Sequence, residues 1–389
     1  MLSKSVQQVQ NLILSFHPVI VMETVEEERV QTLLQTATQE MQMPLFEWSI
    51  TQGLVRSPAS YQSRWTNEYA PPGSVKPTAF EDTADPLKAL QYIQAMTQKA
   101  VFLLKDFAKH LDDPVLVRQF REVSQDFSHH RSTLVVSGET VNLPPELAHD
   151  AVMVDIKLPG RDELHAVVME VIQTLRHRGR IQVELQESEI PILVQALNGM
   201  TLKQARQVTA YAALEDGKLS IHDVARILHR KAQVIREGSV LEYFPVEENT
   251  VSWGGFGGLK QWLNQARVGF SPQAHALNLA PPKGILIVGI QGCGKSLAAK
   301  AIAQAWKMPL LKLDAGRLYD KYVGESEKNF RQAITLAESM APAVLWIDEI
   351  EKSLGNSASG DGDGGLSRRM FGSFLTWMQE KSQEVFVVA

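Results

Sequence analysis

Short runs of consecutive apolar residues alternate along this chain with longer stretches whose apolar positions recur at helical spacing. His17–Met22 (HPVIVM) predicts a buried strand, and Val25–Met41 the helix after it. Further strands are expected at Pro44–Ser49 (PLFEWS), Ala100–Leu104 (AVFLL), Thr133–Val136 (TLVV) and Ala151–Ile156 (AVMVDI). Runs apolar at every position suit strands covered on both faces, so the rhythm predicts a parallel sheet between helical layers. Tyr69–Lys76, with two prolines and a glycine, reads as a loop.

The pattern changes at Ile190–Glu237, where short helices are separated by Asn198-Gly199 and Asp216-Gly217 and no strand is expected. Ser239–Gly258, with acids, a proline and four glycines, reads as a linker. The β/α rhythm resumes at Gly284–Val288 (GILIV), Pro309–Leu313 (PLLKL), Val344–Ile347 (VLWI) and Val385–Val388 (VFVV). The expected division is an α/β domain over 1–180, a helical lid over 181–238, a linker over 239–270 and a second α/β domain over 271–389.

The two α/β stretches look like copies of one domain. Ala100–Leu111 (AVFLLKDFAKHL) aligns with Ala343–Leu354 (AVLWIDEIEKSL), so Lys105 and Asp106 fall on Asp348 and Glu349; TLVVS at 133–137 then matches VFVVA at 385–389.

Composition narrows the class. The 389 residues allow two to three domains, and 44% hydrophobic with 21% charged residues is ordinary for a globular protein. With 39 basic against 44 acidic residues the net charge is −5, which disfavours a nucleic-acid coat. The one notable basic stretch, Arg176–Arg180, reads as a solvated turn. A single cysteine, Cys293, allows no internal disulfide or cysteine zinc cluster. No apolar run approaches the ~18 residues of a membrane span, and the start has neither the apolar core of a signal peptide nor the arginines of a transit peptide. A cytoplasm-like compartment is expected.

The sharpest motif is Gly289-Ile290-Gln291-Gly292-Cys293-Gly294-Lys295-Ser296, which matches the phosphate-binding loop G-x-x-x-x-G-K-S between a strand and a helix. Glycines let backbone N–H groups turn toward a phosphate, the helix N-terminus adds partial positive charge, and Lys295 neutralises the β and γ oxygens. Ser296 offers a hydroxyl to Mg²⁺. Ala343–Glu349 (AVLWIDE) is an apolar strand ending in two acids: Asp348 is expected to hold Mg²⁺ and Glu349 to polarise an attacking water. Gly355–Gly365 reads as a flexible linker; a calcium loop does not fit, because Leu366 stands where that loop needs glycine.

These residues resemble the AAA+ ATPases of the classical AAA clade, with Walker A at 289–296, Walker B at 344–349 and Lys321–Glu327 (KYVGESE) as a further match. Over residues 1–389 the chain is similar to an incompletely characterised AAA ATPase family of cyanobacteria and plastids, of the conserved chloroplast reading-frame type. The resemblance implies a P-loop NTPase α/β fold with a RecA-like parallel sheet and a helical AAA lid, in two tandem AAA-like units. It implies ATP and Mg²⁺ as ligands, residues 289–297 including Leu297 around the phosphates, and Gly257 and Gly258 beside adenine. It puts Tyr322 on a loop facing a central pore, with the alternative of an ordinary tyrosine at a helix start, and leaves Arg368 and Arg369 facing either a neighbouring subunit or solvent. A homo-oligomeric, hexameric ring acting on an unknown protein client is implied, with no nucleic acid and no membrane span, in a cyanobacterial cytoplasm or plastid stroma.

Two departures qualify this. The first copy has no glycine loop: after HPVIVMET comes Val25-Glu26-Glu27-Glu28-Arg29, Lys105 stands where Asp348 would, and Leu143–Leu147 leads to His149-Asp150 where arginine fingers would begin. A degenerate, structural first unit is expected. The second copy stops at VFVV, so its last strand, sensor and lid are expected to be missing, with weak turnover and an exposed strand edge. Cys293 beside Lys295 raises the further idea of a redox brake. The functional readings are an ATP-hydrolysing remodeller of a protein partner, a nucleotide-dependent scaffold without significant turnover, and a DNA-loading ATPase.

Overall fold

A computed structural model describes residues 2–57, 79–129, 131–177, 181–245, 255–277, 279–290, 292–314, 325–348, 350, 364–381 and 383–389. The chain forms two compact units, Met1–Ile156 and Lys157–Ala389.

In the first unit, strands β1 (Val19–Glu23), β2 (Leu45–Ser49), β3 (Gly53–Arg56), β4 (Val101–Lys105), β5 (Thr133–Gly138) and β6 (Ala151–Met153) form one sheet in the order β3-β2-β4-β5-β1-β6. All pairings are parallel except the β2–β3 hairpin. Every strand expected here forms; β6 is shorter than expected and β3 is additional.

The helices of this unit are α1 (Leu2–Leu14), α2 (Glu27–Glu40), α3 (Pro86–Ala95), α4 (Pro114–Phe127) and the short α5 (Pro145–Ala148). Alternate residues of one strand enter opposite cores: Val19 and Val21 face α3 and α4, while Ile20 and Met22 face α1 and α2. This explains the unbroken apolar runs. Helices α3 and α4 start where Asp85 and Asp113 accept a backbone N–H, from Lys88 and Val115, with proline at the first helical position. Tyr69–Lys76 lies outside the described residues.

The second unit begins with a helical layer, α6 (Arg161–His177), α7 (Ile190–Ala196), α8 (Leu202–Glu215) and α9 (Asp223–Gly238), around a core that includes Leu164, Leu193, Leu197, Ala205 and Ile227. Thr201 and Gln204 close a capping box at the start of α8. Helix α6, placed in the first α/β domain by the expected boundary near 180, buries Val168 and Ile172 in this layer instead, and the compact units divide at Ile156–Lys157. A two-residue ladder joins β7 (Gln182–Val183) to β8 (Lys218–Leu219), where no strand was expected, and Gln182 N–H donates to the Gly217 carbonyl at 2.9 Å.

The sheet of this unit has the order β10-β13-β12-β11-β9, from β9 (Leu241–Phe244), β10 (Gly284–Ile285), β11 (Leu310–Leu313), β12 (Ala343–Ile347) and β13 (Val385–Val388). Strands β10 to β13 are parallel, and β9 runs antiparallel to β11. The expected linker therefore contributes an edge strand: Leu241 and Tyr243 are buried, which an extended connection would leave in water. Strand β10 is shorter than the expected GILIV: Gly284 and Ile285 lie opposite Val387 and Val388, and Ile287 N–H donates to the Ala389 carbonyl at 2.7 Å. Helices α10 (Gly257–Ala266) and α11 (Pro272–Ala276) lie between β9 and β10, and α12 (Lys295–Trp306), after β10, covers one face of the sheet through Ile302 and Trp306. Helices α9, α13 (Glu325–Ser339) and α14 (Gly364–Glu380) cover the other through Ile235, Phe330, Leu336 and Phe374. Gly199 meets this face closely: with φ +85°, a Cβ there would stand 2.5 Å from Met340 Cγ.

The duplication read from sequence is visible in the strand order. β2, β4, β5 and β1 follow one another as β11, β12, β13 and β10 do, and each array has an antiparallel strand beyond β2 or β11.

Candidate functional site

Parallel strands end on the same side of a sheet, so the connection after β10 and the residue after β12 lie on one edge, the usual location of ligands in such folds. The connection after β10 turns tightly. Gly292 (φ +79°) and Gly294 (φ +93°) take left-handed backbone that a side chain would strain, and a Cβ on Gly289 would meet Cys293 Sγ at 2.6 Å. Gly294 caps α12, so the helix starts at Lys295 and its free N–H groups open onto the loop. Lys295 Nζ donates to the carbonyls of Gly289 (2.8 Å) and Ile290 (3.1 Å), which holds the ammonium over the loop. Ser296, Leu297 and Cys293 are exposed.

Gly257 and Gly258 open helix α10 (Gly257–Ala266), whose cap Phe256 has φ +55°. The Phe256 ring comes within 3.8 Å of where a Cβ on Gly294 would be, which brings this helix start beside the loop. Among the described residues, no atom outside their own helix backbone and chain neighbours stands within 4 Å of a Cβ on either glycine. The aromatic before a glycine pair was the available signal for Phe256, and it was not read from the sequence.

Asp348 follows the buried strand β12, its side chain 36% exposed. Lys312 Nζ of β11 lies 3.8 Å from its Oδ2 and 4.6 Å from the Trp346 ring centroid. A half-exposed carboxylate and an exposed hydroxyl are the oxygen donors that Mg²⁺ takes, so Asp348 and Ser296 fit that ion by donor type. Lys312 was also missed in the sequence; its signal is a charge in the middle of the apolar run PLLKL. Gln291, Tyr322, Glu349 and most of Gly355–Gly365 lie outside the described residues, as do the side chains of Arg368 and Arg369.

The equivalent edge of the first unit is filled. Lys105 Nζ lies 2.8 Å from Glu47 and 2.9 Å from Glu27, and Gln31 donates to Glu47 at 2.8 Å. Burial works to lower the Lys105 pKa, but the two carboxylates outweigh it and hold the ammonium above its usual value. Between β1 and α2 the backbone is tied by Thr24 N–H to Gly138 O (2.8 Å) and Glu26 N–H to Thr24 Oγ1 (3.0 Å), with Arg29 on Glu26. Among the described residues, this edge has no glycine cradle, and its cations Lys105 and Arg29 are paired with carboxylates.

Glu47→Leu is expected to destabilise this unit by about 2 kcal/mol, since it leaves the largely buried Lys105 with only the half-exposed Glu27. The double variant Glu47→Leu, Lys105→Met should regain most of that in urea unfolding; simple additivity of the two single changes would refute the coupling.

No described helix is long and apolar enough to cross a membrane. Residues 5–156 match the SpoVK-like AAA ATPase N-terminal domain, 162–238 the SpoVK-like AAA ATPase second domain, and 285–389 the ATPase family associated with various cellular activities. The AAA domain-containing protein ycf46 of Trieres chinensis is 34% identical over 376 residues, 96% of this chain and 71% of that protein. The Pyropia yezoensis protein of the same name is 31% identical over 98% of this chain and 73% of its own length. The Cell division cycle protein 48 homolog of Archaeoglobus fulgidus is 35% identical over 161 residues, 39% of this chain and 22% of that protein. With its glycine cradle, its strand-end aspartate and these relatives, the chain belongs to the AAA ATPase family, among the ycf46-type AAA domain proteins.

Proposed function

We propose that the second unit binds Mg²⁺-ATP and hydrolyses it, and that the energy remodels or regulates a protein partner within a homo-oligomeric, hexameric ring. The observation that carries the binding step is the loop from Gly289 to Lys295, with left-handed glycines, an open helix start and an ammonium held over it. Backbone N–H groups and Lys295 would take the β and γ phosphates, Phe256 with Gly257 and Gly258 would border the base, and Ser296 and Asp348 would hold Mg²⁺. When bound, the metal supplies charge neutralisation at the phosphates. Glu349 would accept a proton from the attacking water, and Tyr322 would grip a polypeptide client.

The client class is supported by kinship with a Cell division cycle protein 48 homolog and a Proteasome-activating nucleotidase, the latter 34% identical over 122 residues. A cyanobacterial cytoplasm or plastid stroma is the proposed location, supported by the ycf46-type relatives. In this reading the filled edge of the first unit makes it a structural partner of the second. That same edge favours a second reading, a scaffold that uses nucleotide only to set its shape.

Phosphate release by the chain and by Glu349→Gln, with binding of a fluorescent ATP analogue measured alongside, separates the two. A rate lost in the variant with binding retained supports hydrolysis. Equal background rates with binding intact favour the scaffold, and no binding by the wild type refutes the nucleotide site itself.

A further inference from the structure

Both sheets carry a lysine–carboxylate pair at the same register, with the charges interchanged. In the first unit Glu47 lies opposite Leu103, and its partner Lys105 is two residues further along β4. In the second unit Lys312 lies opposite Trp346, and its partner Asp348 is two residues beyond. Alternation along the strands puts both pairs on the face covered by the helix that follows β1 in the first unit and β10 in the second. Leu45 and Leu103 pack with α2, and Leu310 and Trp346 pack with α12. The repeat keeps an ion pair at this place and reverses its polarity.

The reversal changes what the pair can do. In the first unit the lysine stands at the strand end, is 12% exposed and is closed over by two carboxylates. In the second the carboxylate stands at the strand end, and the lysine sits behind it on β11. Lys312 also has other contacts available: the Trp346 ring lies under its ammonium, and Glu242 of β9 is the residue directly opposite it.

We propose that Lys312 is a built-in counter-cation of Asp348 which a divalent metal must displace, so that it sets the metal concentration at which the nucleotide site loads. The inference rests on the Mg²⁺-ATP reading above. A metal arriving at Asp348 competes with the ammonium for the carboxylate oxygens and is repelled by its charge at short range. Trp346 and Glu242 give the displaced ammonium a place to remain. Lys312 is thus a positioning residue, acting through Asp348.

The test is Mn²⁺ binding followed by electron paramagnetic resonance, with the non-hydrolysable analogue adenylyl imidodiphosphate, on wild type, Lys312→Met, Lys312→Gln and Lys312→Arg. Methionine keeps the stem over Trp346, glutamine guards against misfolding of that variant, and arginine restores the charge. The methionine and glutamine variants should bind Mn²⁺ about three- to tenfold more tightly, the span of a partly exposed ion pair with added repulsion, and arginine should stay within about twofold of wild type. Unchanged or weaker Mn²⁺ binding in both neutral variants, or an equal gain in the arginine variant, overturns the inference and leaves the nucleotide reading standing. A wild type that retains no Mn²⁺ with the analogue overturns both.

Discussion

Lys231→Met is expected to stabilise the Lys157–Ala389 unit by about 3 kcal/mol at pH 6.5 and to change it little near pH 10. Lys231 lies on α9, 2% exposed; its Nζ donates to the Ala196 carbonyl at 3.0 Å and lies 5.0 Å from the Tyr243 ring centroid. Among the described residues no carboxylate is paired with it, and burial pushes its ammonium down to about 7. Between about 7 and the ordinary value of 10.5, the unfolded chain holds this proton and the folded chain does not. Stability therefore rises with pH across that window and is flat below it.

Burial also pushes the Tyr243 phenol up from 10.0 to about 12, so its contribution is complete below pH 10 and lost above it. Together the two groups put maximum stability near pH 10. Methionine removes the charge penalty and forfeits one hydrogen bond to Ala196, which is why the net gain is smaller than the pKa displacement alone would give. Urea unfolding of both proteins at several pH values checks this. A difference independent of pH, or a variant weaker at pH 6.5, would sink the account.

Lys295→Ala is expected to weaken ATP binding by about 30- to 1,000-fold, equivalent to about 2–4 kcal/mol, while leaving the melting temperature without nucleotide near that of wild type. The asymmetry follows from position. Its two protein acceptors, Gly289 O and Ile290 O, belong to an exposed loop and can be served by water, whereas a triphosphate loses its only nearby lysine of the motif. Titration of the fluorescent ATP analogue, paired with a thermal melt, reads both quantities. Binding within threefold of wild type would remove Lys295 from the site.

Much of the architecture was legible because period and burial agree. Runs such as Val19–Met22 and Val344–Ile347 are apolar at every position and too short for a buried helix, as a strand covered on both faces requires, and the structure has strands at both. The glycine loop after β10 was legible for a different reason: its glycines answer a local backbone demand, and Gly292 and Gly294 do take left-handed backbone. Strand β9 was not legible. Leu241–Phe244 alternates buried and half-buried residues next to a glycine-rich stretch, and only the free edge of β11 selects it as a strand. The same holds for α6, whose amphipathic pattern names no partner until α8 is beside it.

By itself the sequence determined the repeated α/β plan, the glycine loop of the second copy and its loss from the first, because these depend on local periodicity and on residues with special backbone freedom. Only the tertiary structure decided what each charged residue meets. Lys105 could be read as a lost aspartate, but not as the centre of a cluster with Glu47 and Glu27, contributed by β2 and α2. Lys312 beside Asp348, and Lys231 buried against Ala196 and Tyr243, join residues distant along the chain. Such pairings depend on strand register and helix docking, which no local pattern encodes, and they determine whether a lysine supports the fold, costs it stability or faces a strand-end carboxylate.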